Sequence, residues 1–146
     1  MAKAKARSGA LAAEAWTLMF DVLMASTSTR AKSLATRGLT PNDARALWSL
    51  SLDKRRPVGS LAKDWECDPS NVTFIVGRLE RAGLADRREN PADRRIKLIG
   101  LTPRGARIKE ELMAEYRIPP PEIQQLSASE LRALVQILAR IRNRGS

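Results

Sequence analysis

The side chains with the most chemistry to offer are arginines, and they crowd into one stretch. The 146 residues carry 26 Lys and Arg against 16 Asp and Glu, a formal net charge of +10. Residues 68–109 hold 10 basic and 5 acidic residues, whereas residues 110–146 hold 5 of each. A local excess of this kind suits a polyanion, either nucleic acid or an anionic membrane face. Within it stand Arg78, Arg81, Arg87, Arg88, Arg94 and Arg95, with Asp93 two residues from Arg95. Catalysis lacks its usual material. The chain has no histidine and one cysteine, so the common bases, nucleophile pairs and zinc ligand sets are missing. No catalytic residue, metal site or cofactor is expected. A single cysteine also precludes an internal disulfide, which fits a reducing, cytoplasmic setting.

These arginines must be positioned by elements that the sequence punctuates clearly. Residues 10–36 read as a first helix, and between about Ala10 and Met24 its only polar residues, Glu14, Thr17 and Asp21, form one stripe on an otherwise apolar surface. That much apolar surface asks for burial on several sides, and a second subunit would supply it. Residues 1–9 read as a flexible basic arm. The basic-then-apolar start resembles a signal peptide only superficially, because Glu14 and Asp21 interrupt it. No run of about 18 apolar residues exists to span a membrane.

A second helix is announced by Thr40 as N-cap, Pro41 at the first position and Asp43 at the capping-box position. Its inward face is expected to be Ala44, Leu47, Trp48 and Leu52, with an end at the charged run 53–57. A short helix at about 59–65 faces Leu61, Ala62 and Trp65 inward. After a tight Glu66-Cys67 turn, Asp68 and Pro69 start a longer helix that stops at Gly83. Val72, Ile75, Val76 and Leu79 lie at i, i+3, i+4 and i+7 and face the core. Ser70, Phe74, Gly77 and Arg81 face outward, flanked by Asn71, Thr73 and Arg78. Residues 84–89 and 95–101 read as two short strands joined by a basic turn containing Pro91. Thr102-Pro103 opens another helix, the triple proline 119–121 ends it, and Ser127 with Glu130 caps a last one. Leu131, Leu134, Val135, Leu138 and Ile141 would be its buried row.

Helix, short helix, tight turn, longer helix and basic hairpin is the order of a winged helix-turn-helix. The longer helix can enter a DNA major groove about 12 Å wide, and the hairpin can place an arginine in the neighbouring minor groove. The segment LAKDWECDPSNVTFIVGRLERAGLADRRENPADRRIKLIGLTPRG, residues 61–105, resembles the MarR (multiple antibiotic resistance regulator) family. The spaced set carrying the resemblance is Arg78-Leu79-Glu80, Gly83-Leu84, Asp93-x-Arg95, then Leu101-Thr102 and Gly105. The resemblance implies repression, sometimes activation, at a pseudo-palindromic operator, often released by a small aromatic or amphipathic effector. It also implies a homodimer built from N- and C-terminal helices. Phe74 departs from it, because family members often carry arginine there. The triple proline departs too, and no cysteine stands near the N-terminus as in the oxidation-sensing members.

The expected architecture is therefore mostly α (α+β). It comprises an arm (1–9), an N-terminal dimerisation helix (10–36), a winged helix-turn-helix lobe (39–102) and C-terminal dimerisation helices (103–146). Ser70, Asn71, Thr73 and Phe74 are the candidate base readers. Arg95, oriented by Asp93, is the candidate minor-groove contact. Arg78, Arg81, Arg87, Arg88 and Arg94 are candidate phosphate contacts, although each could equally keep a surface solvated. Trp16, Met19, Phe20 and Trp48 could line an effector pocket or simply be core. Cys67, beside an acidic turn that disfavours a thiolate, reads as a structural thiol before a redox sensor. An architectural or RNA-binding winged helix, or a module meeting an acidic protein, would share much of this pattern.

Overall fold

The computed structural model describes residues 2–143, with side chains from Arg7 onward. Seven helices and three strands follow one another: α1 (Ala2–Thr36), α2 (Pro41–Ser49), β1 (Arg56–Pro57), α3 (Val58–Trp65), α4 (Pro69–Arg81), β2 (Ala85–Asn90), β3 (Asp93–Leu101), α5 (Pro103–Arg117), α6 (Pro121–Gln124) and α7 (Ala128–Arg142). The chain divides into two compact units at Ala114/Glu115.

In the first unit, α2 to β3 surround one core. Leu47, Leu50, Leu61, Val72, Val76, Leu79 and Ile99 are fully buried there, joined by Leu34 from α1 and Leu112 from α5. The segment expected as a basic arm is helical from Ala2, and Met1 lies outside the described residues. Nothing between Ala2 and Ala10 breaks a helix except Gly9, which is tolerated at modest cost.

The N-terminus of α2 matches its reading. Thr40 accepts from the Asp43 N–H at 3.2 Å and Asp43 accepts from the Thr40 N–H at 2.8 Å. Its inward face does not match entirely. Ala44 and Leu47 are buried, but with Ala46 and Leu50 rather than Trp48 and Leu52, which are 37% and 44% exposed. The helix stops at Ser49, so counting a helical period on to Leu52 picks the wrong face. Lys109 marks that end, its Nζ donating to the carbonyls of Trp48 (3.0 Å) and Leu50 (2.7 Å). A cation on the last carbonyls of a helix suits their unpaired acceptors and the negative end of its dipole.

β1 is a strand that sequence reading misses. Its two residues pair antiparallel with β3, Arg56 opposite Ile99 and Pro57 opposite Leu98, giving the order β1-β3-β2. The charged run that contains it is also ordered. Arg55 pairs with Asp86 at 2.6 Å and Arg56 with Asp64 at 2.6 Å.

The C-terminal unit contains α6 and α7. The Ser127–Glu130 capping box forms as expected. The buried row expected along α7 is a correction: Val135, Leu138 and Ile141 are 64%, 40% and 53% exposed in the single chain.

Candidate nucleic-acid interface

α3 and α4 are the helix pair of the motif. Trp65 and Leu61 bury one side of α3, and Glu66 takes a left-handed backbone conformation (φ 52°) that turns the chain sharply into α4. α4 begins at Asp68 and Pro69, and Gly83 (φ 69°) lets the chain leave it. Val72, Val76 and Leu79 are fully buried, so the helix cannot rotate without exposing them. Ser70, Asn71, Thr73 and Phe74 are consequently held on the exposed side, and Phe74 is 63% exposed.

An ion pair between a buried carboxylate and a half-buried arginine fixes the helix further. Asp43, 1% exposed on α2, accepts from Arg78 Nε at 3.2 Å and from Arg78 Nη2 at 2.9 Å. Burial pushes this carboxyl up and is the largest single influence. The Arg78 hydrogen bonds, the two Thr40 bonds and the charge of Arg78 together outweigh it and hold the carboxyl below its ordinary 3.8. The candidate phosphate contact Arg78 is thus a tie between α2 and α4. Its partner is 35 positions away, and no local pattern announces the pair.

β2 and β3 form the wing. Ala85 pairs with Leu101 and Glu89 with Lys97, but Asn90 pairs with Asp93. Arg94, Arg95 and Ile96 therefore sit at the tip with no counterpart on β2, a bulge of the kind that redirects side chains out of a sheet. There Asp93 grips Arg95 through Nε (3.1 Å), Nη2 (3.0 Å) and the backbone N–H (3.1 Å). The guanidinium nevertheless leaves 91% of its side chain exposed. The hydrogen bonds from Arg95 hold the Asp93 carboxyl below its usual range.

The other arginines divide by partner. Arg87 folds back over α4, donating from Nη2 to the Thr73 carbonyl (3.2 Å) and pairing with Glu80 (3.2 Å). Arg88 pairs with Asp86 at 3.3 Å. Arg81 and Arg94 are exposed.

The four expected pocket residues do not gather in the cavities found. Trp16 is 68% and Phe20 52% exposed, and Met19 is half-buried on the same helix. None of these three, nor Trp48, lines either of the two cavities described. One cavity, of about 370 Å³, lies instead beside α2 and α4, where Asn42, Arg45, Cys67, Asn71, Phe74 and Arg78 contribute walls. Among the described residues no group of His, Cys, Asp and Glu could hold a metal ion.

Comparison with known proteins places this lobe. Residues 39–97 match the model of the MarR family. This segment belongs to the MarR family. The MarR match spans the lobe built above, from just after α1 into β3. The chain is 37% identical over 84 residues to the uncharacterized HTH-type transcriptional regulator YdgJ of Bacillus subtilis (strain 168), across 57% of this chain and 51% of that one. It thus spans about half the length of that curated relative. Its fold matches a solved "probable transcriptional regulator" of Pseudomonas aeruginosa at 30% identity and a TM-score of 0.55, covering 82% of this chain and 93% of the other. It also matches a mutant of S. aureus MepR, solved bound to an oligodeoxyribonucleotide, at 20% identity and a TM-score of 0.67 over 90% and 98% of the chains. Residues 39–97 are therefore a MarR-type segment, and the chain has the winged-helix fold of these solved proteins. No helix among its described residues is long and apolar enough to cross a membrane.

Proposed function

We propose that the protein is a homodimeric repressor that reads a pseudo-palindromic operator in double-stranded DNA. The observation carrying this reading is α4, locked by Val72, Val76 and Leu79 so that Ser70, Asn71, Thr73 and Phe74 stand outward. α4 enters the major groove with these residues at base edges, and the bulged wing sets Arg95 in the adjacent minor groove. Arg81, Arg87, Arg88 and Arg94 meet phosphates. The lobe over residues 39–102 makes these contacts, and the flanking helices pair with a second copy. Support for self-association comes from the apolar surface left uncovered on α1, where Leu11, Trp16, Leu18 and Phe20 are each more than half exposed. The exposed row on α7 supports it independently. A two-fold dimer sets its reading helices about one helical turn apart, roughly 34 Å.

Replacing Arg95 by alanine is expected to weaken operator binding about ten-fold, from loss of a charge-assisted contact. A competition titration against random duplex measures it, and unchanged operator affinity at physiological salt sinks the minor-groove role. Phe74 tests the major groove separately. Its ring can pack on a thymine methyl, so Phe74→Ala should alter preference at one base position while leaving non-specific affinity nearly constant. An equal loss across random sequences refutes that contact. An effector that releases the operator would be a small aromatic or amphipathic molecule, by resemblance to the family. A rise in melting temperature on adding it is the direct readout.

A further inference from the structure

Glycine in a helix interior is unfavourable relative to alanine, so its presence there calls for a reason. Gly83 has one in its positive φ, and Gly105 has one in its contact with the Leu84 backbone. Gly77, in the middle of α4, has neither. A Cβ added there would meet only Arg81 Nη1 at 3.7 Å and Arg87 Nη2 at 4.0 Å, both ordinary contacts. Nothing among the described residues therefore requires Gly77.

What surrounds the position is informative. Gly77 lies one turn beyond Thr73 and Phe74 on the outward side of α4. Two guanidinium groups from different elements flank it, Arg81 from the helix and Arg87 from the wing. Arg87 is held in place by the Thr73 carbonyl and Glu80. These two bonds engage Nη2 and Nε, and the remaining N–H donors of its planar fork stay available. The result is a notch at a bare Cα, with guanidinium nitrogens of Arg81 and Arg87 3.7 and 4.0 Å from where a Cβ would stand.

We propose that Gly77 is the seat of one DNA backbone phosphate, clasped between Arg81 and Arg87. This rests on the DNA-binding reading above and adds a residue to it that carries no charge and no hydrogen-bonding side chain. A phosphate oxygen can approach the Gly77 Cα to about 3.3–3.6 Å, the distance of a Cα–H···O contact, while the guanidiniums donate to the other oxygens. Any side chain at 77 holds the phosphate away. The seat also fixes how far along the backbone α4 sits, so it sets the register in which Phe74 and Thr73 meet base edges.

Gly77→Ala and Gly77→Leu test this with opposite effects on two readouts. Both substitutions favour the helix, so the melting temperature of the free protein should rise by about 3 °C. Affinity for a random-sequence duplex at low salt should nevertheless fall, about five-fold for Ala and at least about ten-fold for Leu. The slope of log affinity against log salt should shrink by about one, the signature of one lost phosphate. Stabilised variants that bind duplex with wild-type affinity and slope overturn the seat and leave the DNA reading intact. A wild-type protein that binds no duplex at low salt overturns the DNA reading itself. Inorganic phosphate provides the last arm. If it raises the wild-type melting temperature but not that of Gly77→Leu, while duplex affinity is equal in both, the notch holds a free anion and the backbone assignment falls.

Discussion

Gly105→Ala is expected to melt far below the wild-type protein, with a loss of at least about 3 kcal/mol. A Cβ at this position would run into the carbonyl oxygen of Leu84 and lie 2.8 Å from its carbon. Both sides of the clash are backbone, so no rotamer change relieves it. Leu84 cannot retreat easily. It is 3% exposed, its N–H donates to the Leu79 carbonyl at 2.8 Å, and its carbonyl accepts from the Thr102 N–H at 3.1 Å. The first turn of α5 is equally fixed, because Thr102 Oγ1 accepts from the Gly105 N–H (3.0 Å) and donates to the Gly83 carbonyl (2.7 Å). Gly100 is the useful control. A Cβ there meets Arg55 Cγ at 2.9 Å, a side-chain and not a backbone atom. The strain can be relieved at the cost of disturbing the Arg55–Asp86 pair, a smaller loss than a backbone clash. Thermal denaturation of both variants checks the argument, and equal melting temperatures would defeat it.

The second large effect belongs to Asp43. Its replacement by alanine should cost about 2 kcal/mol, from the lost capping box and the lost charge-assisted bonds, because Arg78 is partly open to solvent once its partner is gone. The substitution removes the capping-box acceptor at Thr40 and the carboxylate that Arg78 grips. It should also change the response to acid. A carboxyl held below 3.8 in the folded protein contributes stability that is complete above that value. The contribution disappears as pH falls through the depressed value. Wild-type protein should therefore lose stability steeply below about pH 4, and Asp43→Ala less steeply. Urea midpoints measured at about pH 7 and about pH 3 give the comparison, and identical acid losses would refute the assignment. Because the pair ties α2 to α4, Asp43→Asn, which keeps an acceptor for Thr40, should fall between the two.

Much of this fold is legible in the sequence because its signals are local. Thr40-Pro41, Thr102-Pro103 and Ser127 with Glu130 announce helix starts, since caps act within one turn. Val72, Val76 and Leu79 reveal a buried stripe for the same reason, the helical period being a property of the chain itself. Features that depend on distant partners stay hidden. β1 is a strand only because β3 lies beside it. Arg78 sits at the edge of an outward face and becomes a structural tie only when α2 delivers Asp43. A helical count misplaces Leu52, because the end of α2 at Ser49 is marked by Lys109, about sixty residues on. Apolar residues along α7 read as buried, and a single chain leaves many of them in water. The exposed face of α4 and the Asp93–Arg95 pair are both visible in the sequence, whereas the setting of Gly77 between Arg81 and Arg87 is not. A residue without a side chain offers no chemistry to a sequence reader.

The grip of Asp93 on Arg95 has a thermodynamic consequence. A long cationic side chain at a loop tip normally samples many rotamers, and any partner that immobilises it must overcome that lost freedom. Here two side-chain bonds and one backbone bond have already narrowed the ensemble in the free protein, although the guanidinium stays open to solvent. The entropy is surrendered during folding rather than at the moment of contact. The wing is thus pre-organised, and any partner that takes up Arg95 meets a side chain whose freedom is already reduced.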